Sequence, residues 1–287
     1  MRLASYRIAG RSSYGIVNDQ GVVDLAARTG IATLRRFLES GPLARAEHYA
    51  NAAADIALDA MDFLPVIPDP QHIVCVGINY ASHIAEVVDA GITRATPDKP
   101  SVFLRCVDSL VAHRRPLLMP RVSSSLDYEA ELAVIIGTPG RYIAEQDALS
   151  HVAGYACFND GSLRDWQFHT NNITPGKNFP STGALGPWLV TSDEIPDPQR
   201  LSIRTRVNDK TMQDGNTADM IFGVARIIAY VSSFMPLAAG DVLATGTPHG
   251  VGFSRKPPVF LAEGDVCEIE IESVGRLINA VARERAQ

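Results

Sequence analysis

The segment Asp127-Tyr-Glu-Ala-Glu-Leu-Ala-Val-Ile-Ile-Gly137 sets two glutamates, Glu129 and Glu131, at the head of a run that is otherwise apolar and rich in β-branched residues. Such a run belongs inside a sheet, and in a strand residues two apart share a face. Both carboxylates therefore point the same way, and Ala133 and Ile135 continue that face into an apolar interior. Each ionised carboxylate costs several kcal/mol to desolvate and repels its neighbour, so either one keeps a proton or a cation stands between them. A third acid, Asp160, closes a second β-like segment, His151-Val-Ala-Gly-Tyr-Ala-Cys-Phe-Asn-Asp160. Carboxylates at two strand positions and a strand end suit a hard divalent ion that takes oxygen ligands, Mg²⁺ or Mn²⁺.

With 287 residues, 46% of them hydrophobic, the chain can bury a sizeable core as one large domain or as a large and a small one. A net charge of −6 and no long basic run argue against nucleic acid and against a polybasic membrane contact, and leave small anions open as partners. Cys75, Cys106, Cys157 and Cys267 form no CxxC pair, so neither a disulfide framework nor a thiolate zinc site is indicated. Reduced cysteines, an N-terminus without the apolar core of a signal peptide, and no stretch near the roughly 20 residues of a membrane span predict a cytoplasmic protein.

Leu64-Pro-Val-Ile-Pro-Asp-Pro70 crowds its prolines too closely for regular hydrogen bonding and reads as an extended connector. It separates a small N-terminal α+β domain, residues 1–66, from a larger domain, residues 67–287. The first is predicted to hold short strands at Leu3–Ile8, Tyr14–Val17 and Gly21–Leu25 and an Ala-rich helical stretch from about Thr33 to Met61. In the second, strands are predicted at Ile73–Val76, Leu132–Ile136, Val152–Phe158, Trp188–Thr191, Leu201–Val207, Val242–Ala244 and Val266–Ile271, with helices at Asn79–Ala90 and Ala218–Met235. Strands outnumber helices without regular alternation, which indicates an α+β, mainly β fold and not a doubly wound parallel sheet.

Four further constellations carry polar chemistry. His83 and Glu86, three apart on a predicted helix, form either a general-base dyad in which the carboxylate orients the imidazole or an exposed pair on a solvated face. Asp160, Arg164 and Gln167 share one helical face after a buried strand, either as a platform for a metal and an oxyanion or as an N-cap followed by a solvated turn. Lys177, in Thr174-Pro-Gly-Lys-Asn-Phe, is a cation for an enolate or a surface loop lysine. Thr247, in Ala244-Thr-Gly-Thr-Pro-His-Gly-Val-Gly252, sits in a Gly-rich segment that lacks the P-loop and dinucleotide signatures, and is read as approaching a carboxylate or as part of a tight turn. Arg105 and Arg121 add cations ahead of the paired glutamates.

Taken in order, Gly-Ile-Asn-Tyr-x-x-His83-x-x-Glu86, Asp-Tyr-Glu129-x-Glu131-Leu-Ala-Val, Gly-Tyr-x-x-x-Asn-Asp160-x-Ser-x-Arg164-Asp-x-Gln167, Gly-Lys177-x-Phe, Gly-Pro-Trp-Leu-Val-Thr, Gln213-Asp-Gly-Asn-Thr-x-Asp219-Met-Ile-Phe and Thr-Gly-Thr247-Pro-x-Gly-Val-Gly resemble the fumarylacetoacetate hydrolase family over about residues 73 to 280. The resemblance implies a mixed β-roll catalytic domain, a homodimer, and Mg²⁺ or Mn²⁺ held by Glu129, Glu131 and Asp160. It also implies a lid formed by the His83/Glu86 segment, and an N-terminal region of the small variable kind seen in bacterial members. Two departures bear on the substrate: Arg105 stands where many members carry lysine, and His113-Arg-Arg replaces a Gly/Pro-containing turn. Both are expected near the substrate pocket.

What the resemblance implies chemically is hydrolysis of a C–C bond in a 2,4-diketo acid of the acylpyruvate, maleylpyruvate or fumarylpyruvate type, as in aromatic-compound catabolism. In that scheme His83, oriented by Glu86, activates water; Lys177 and Gln167 stabilise the developing oxyanion, and Arg105, Arg164 and Thr247 bind the anionic keto acid. Decarboxylation of an oxaloacetate-type acid, isomerisation or hydration of a dienoate, and a non-catalytic metal- or ligand-binding relative are the alternatives.

Overall fold

The β-branched runs predicted as strands assemble into two sheets in the computed structural model, which describes residues 1–89, 91 and 96–285. The path through the 11-stranded sheet runs Gly21–Asp24, Arg11–Asn18, Arg2–Ile8, Gly183–Thr191, Val152–Asn159, Ala130–Ile136, Val242–Ala244, Ile73–Gly77 and Ser101–Leu104. A five-stranded sheet runs Lys210–Asn216, Ser202–Val207, Val266–Ile271, Gly275–Arg283 and Leu117–Met119. The fold is α+β with strand well in excess of helix, as the patterning predicts. Among the described residues no helix is long and apolar enough to cross a membrane.

Strand parity divides the core. In Ala130–Ile136 every residue is buried, and Leu132, Val134 and Ile136 join the hydrophobic cluster shared with the five-stranded sheet. Ala133 and Ile135 point the other way, into a second cluster with Leu3, Tyr14, Leu34 and Phe37. Each such aliphatic side chain contributes about 1.5–3 kcal/mol on burial, which pins the register because a one-residue slip would exchange the two faces. The Pro-rich connector does not separate two sheets: Arg2 pairs with Val190 and Leu3 with Leu189, so strands from residues 1–66 extend the sheet of the remainder.

Three expectations meet a different structure. The helical stretch from Thr33 to Met61 shrinks to an α-helix at Leu34–Glu39 followed by 3₁₀ turns at Leu43–Tyr49 and Leu58–Ala60. Gly41 at φ +140° and Pro42 interrupt it, and Val22 N–H then captures the Ile56 carbonyl at 2.8 Å as a β-bridge. The helix expected from Ala218 begins at Val224, after a 3₁₀ turn at Thr217–Asp219, because Phe222 N–H donates to Asn79 Oδ1 at 2.8 Å and Ile221 N–H to the Asn79 carbonyl at 2.7 Å and so neither joins the helix ladder. Lys210–Asn216 and Gly275–Arg283 are strands without a continuous apolar run, since one face of each meets solvent. The helix predicted at Asn79–Ala90 spans Ala81–Asp89, and Ala90 lies outside the described residues.

Candidate active site

Antiparallel pairing brings the three acids to one place. Ala130 is opposite Asn159 and Glu131 opposite Phe158, so Glu129 and Asp160, one step beyond, face each other at the same strand ends; Asp160 N–H donates to the Glu129 carbonyl at 2.9 Å. Asn159 Oδ1 accepts the Glu129 N–H at 3.0 Å and fixes that corner. One carboxylate oxygen from each of Glu129, Glu131 and Asp160 lies within 4.8 Å of the others, and all three residues are buried. These are hard oxygen donors at a spacing that one divalent ion can bridge.

Charge argues the same way. Glu131 accepts the Gly246 N–H at 2.8 Å, and burial together with Asp160 and Glu129 pushes its carboxyl well above the usual range. Gly246 has φ +94°, and a Cβ there would meet Asn79 Cβ at 2.7 Å, so only glycine lets this N–H approach so closely. Burial also opposes ionisation of Glu129, but Lys177 and Arg164 overcome it and bring its carboxyl down to about 2. In the buried cluster Asp127, Glu129, Glu131 and Asp160 face Arg105, Arg164 and Lys177, so the acids exceed the bases by one. The donor set fits a divalent cation among the three carboxylates, and its charge would offset Glu131, the one acid of the cluster that no basic side chain pairs.

Lys177 closes the short helix Thr174–Lys177 and is 3% exposed, which removes the surface-lysine reading. Its Nζ lies 2.7 Å from Glu129 Oε2 and 2.5 Å from Asp160 Oδ2. Burial would favour the neutral amine; Asp160 and Glu129 reverse this and hold the ammonium. Arg164 donates through Nε to Asp127 Oδ2 at 2.8 Å and through Nη1 to Gln167 Oε1 at 2.8 Å. Its Nη2 is 2.6 Å from Glu129 Oε1, a close buried ion pair. Gln167 spends its carbonyl on Arg164 and is left with its amide N–H groups for the cavity.

His83 and Glu86 lie on the helix Ala81–Asp89, and His83 is 5% exposed, so the solvated-pair reading fails. His83 Nδ1 is 2.9 Å from Glu86 Oε2, while Glu86 Oε1 accepts Gly250 N–H at 2.8 Å and the Ser254 hydroxyl at 2.5 Å. Burial pushes the Glu86 carboxyl up, but the bonds from His83, Ser254 and Gly250 outweigh it and leave it below the ordinary range. An ionised Glu86 fixes the proton on Nδ1 and leaves Nε2 as the free basic nitrogen. The turn entering this helix is strained: Ile78, β-branched, sits at φ +56°, held by the buried Asn79, whose Nδ2 donates to the Phe222 and Thr245 carbonyls.

A cavity of about 240 Å³ gathers His83, Glu129, Glu131, Asp160, Arg164, Gln167, Lys177 and Thr247 on its wall. Arg105 is not on that wall. Its guanidinium is sealed behind the triad, giving Nη1 to Asp160 Oδ1 at 2.6 Å and to the Gly161 carbonyl at 3.0 Å, and Nε to Ser109 Oγ at 3.1 Å. In place of the expected substrate contact, Arg105 supports Asp160, since its buried guanidinium is taken up by Asp160, Gly161 and Ser109. Nor does His113 approach the cavity; it packs edge-on against Phe63 with ring centroids 4.9 Å apart. Arg121 is exposed. Asp127 was visible in the motif only as a neighbour, yet it accepts from Arg164, Gly252 and Phe253. Phe253, whose ring lies 4.4 Å from the Arg164 guanidinium, carried no signal in the sequence.

The chain matches the fumarylacetoacetate (FAA) hydrolase C-terminal family over residues 72–282. It is 40% identical over 271 residues to human oxaloacetate tautomerase FAHD2A, mitochondrial, a match covering 92% of this chain and 85% of that protein. A structure of fumarylacetoacetate hydrolase from Exiguobacterium antarcticum superposes with TM-score 0.82 at 34% identity, covering 99% of this chain and 100% of that one. Maleylpyruvate hydrolase from Sphingobium sp. SYK-6, in complex with manganese(II) and pyruvate, superposes with TM-score 0.82 at 30% identity over the same shares.

Proposed function

Because the chain belongs to the fumarylacetoacetate hydrolase family, we propose that it is an enzyme acting on a small 2-oxo acid through its enolate, with keto–enol interconversion of oxaloacetate as the reaction. The observation that carries this reading is one cavity wall holding a carboxylate-oriented base, His83 with Glu86, beside an ammonium, Lys177, that stands among three acids. Proton removal from carbon next to a carbonyl needs both a positioned base and a cationic environment for the oxygen.

Glu129, Glu131 and Asp160 would hold Mg²⁺ or Mn²⁺, which supplies Lewis-acid polarisation of the 2-oxo group when bound. The chain's own residues supply the rest. In the keto-to-enol direction His83 Nε2 takes the C3 proton and delivers it to the 2-oxo oxygen, and in the reverse direction it carries the enol proton to C3, while ionised Glu86 stabilises the imidazolium between these steps. Arg164, which stands on the cavity wall, and the Gln167 amide hold the substrate carboxylate. Lys177 remains an ammonium throughout, so it offsets oxyanion charge and does not act as a base. The cavity has room for a small keto acid, and Phe103, Phe168 and Phe253 add apolar surface to its lining.

A second reading, C–C hydrolysis of an acylpyruvate, uses the same groups with His83 activating water in place of C3; the likeness to the maleylpyruvate hydrolase favours it. The two part in one experiment. Metal-supplemented protein is given enol oxaloacetate, with loss of enol absorbance followed, and separately an acylpyruvate in ¹⁸O-water. Faster ketonisation without pyruvate release supports tautomerisation, and label in the released acid with stoichiometric pyruvate supports hydrolysis. Neither change above the metal-only rate sinks both.

A further inference from the structure

Gln213, on the strand Lys210–Asn216 and 1% exposed, belongs to a motif for which the reaction above has no use. Its Oε1 accepts the Ala130 N–H at 3.0 Å and the Thr205 hydroxyl at 2.6 Å, and its Nε2 lies 2.8 Å from Thr247 Oγ1 and 2.9 Å from the Pro248 carbonyl. A backbone N–H only donates and a carbonyl only accepts, so Ala130 and Pro248 together exclude the flipped amide. Nε2 therefore donates to Thr247. The Thr247 oxygen acts as acceptor in that bond, and among the described residues its own proton has no acceptor, while Thr247 lines the cavity.

We infer that Gln213 is a positioning residue that makes the Thr247 hydroxyl a donor directed into the cavity, toward a carboxylate oxygen of the 2-oxo acid; this rests on the functional reading above. All four hydrogen-bonding positions of the amide are used, so it cannot swing to serve another orientation. A hydroxyl held this way meets an anion without reorganising, which is what an oxyanion site requires.

The test uses manganese-loaded protein and oxalate, a stable dianion that presents adjacent carboxylates, titrated by calorimetry. Thr247→Val and Gln213→Met should each weaken oxalate binding about tenfold, the loss of one hydrogen bond to a charged group. The double variant should lose no more than either single, since both remove the same donor. Thr247→Ser should bind as wild type does. Manganese affinity, read by electron paramagnetic resonance without oxalate, should be unchanged in all of them, and in turnover KM should rise while kcat holds. Should Gln213→Met not fold, Gln213→Glu keeps the Ala130 and Thr205 bonds but takes the Thr247 proton, and should weaken oxalate by at least as much. A folded Gln213 variant with wild-type oxalate affinity, or a Gln213 loss that persists undiminished in the Thr247→Val background, overturns the inference. Wild-type protein that binds neither oxalate nor pyruvate removes the functional reading itself, and this inference with it.

Discussion

The ammonium of Lys177 stands 2.5 Å from a carboxylate oxygen of Asp160, both closed off from solvent, and the same nitrogen reaches Glu129 at 2.7 Å. A monovalent cation of the chain thus occupies the flank of the site that a divalent ion would share. Lys177→Met should destabilise the metal-free protein by about 3–5 kcal/mol, the usual result of stripping one partner from a buried pair. Manganese should then raise its melting temperature by more than it raises that of wild type, because the uncompensated acids bind the ion more tightly in the folded state. An equal manganese shift in both proteins, by calorimetry, would count against the shared site.

Glu131 is the acid that neither Lys177 nor an arginine touches, and burial beside Asp160 and Glu129 keeps its carboxyl well above the ordinary range. Glu131→Gln removes that repulsion and keeps an acceptor for the Gly246 N–H, so thermal stability without metal should hold or rise. Divalent-ion affinity should fall on the order of a hundredfold. Manganese titration of the variant decides it, and wild-type affinity would remove Glu131 from the ion's ligands.

His83→Ala should leave manganese binding intact and lower turnover on the order of 10²–10⁴-fold, the range for loss of a general base. Glu86→Gln should cost most of the same, since an amide can present N–H to His83 Nδ1 and so turn the ring's proton toward the cavity. Turnover by Glu86→Gln near the wild-type rate would mean that the carboxylate does not set the imidazole's tautomer.

Stability should fall in mild acid through His113. Its Nδ1 accepts the Ile278 N–H at 3.1 Å, so the ring is neutral, and burial with Arg114 nearby lowers its pKa to about 4. The unfolded chain takes a proton near the ordinary value of 6.5, which the folded protein refuses until about pH 4. Unfolding therefore binds a proton in that window, and stability drops as pH falls through it, by about 3 kcal/mol in all. Urea unfolding at pH 7 and pH 5 should show the loss, and His113→Asn should reduce it; an identical pH slope in the variant would place the effect elsewhere.

The alternation around Glu129 and Glu131 was legible because a strand's period of two is a local property, and it correctly sent Leu132 and Ala133 to opposite cores. The three-residue step from His83 to Glu86 was legible for the same reason on a helix. Arg105 was not: a lone arginine after a strand has no period to read, and only the fold shows it bound to Asp160, behind the cavity. The expected helix start at Ala218 failed likewise, since distant Asn79 claims the backbone there.

By itself the sequence determined which residues are acids, bases and amides, and which of them share a face within one strand or helix. Only the tertiary structure decided that Lys177 and Arg164 meet Glu129, that Gln213 holds Thr247, and that Arg105 faces inward. The physical reason is range: side-chain periodicity arises from neighbouring peptide units, whereas desolvation and ion pairing depend on groups brought together by sheet register across tens of residues.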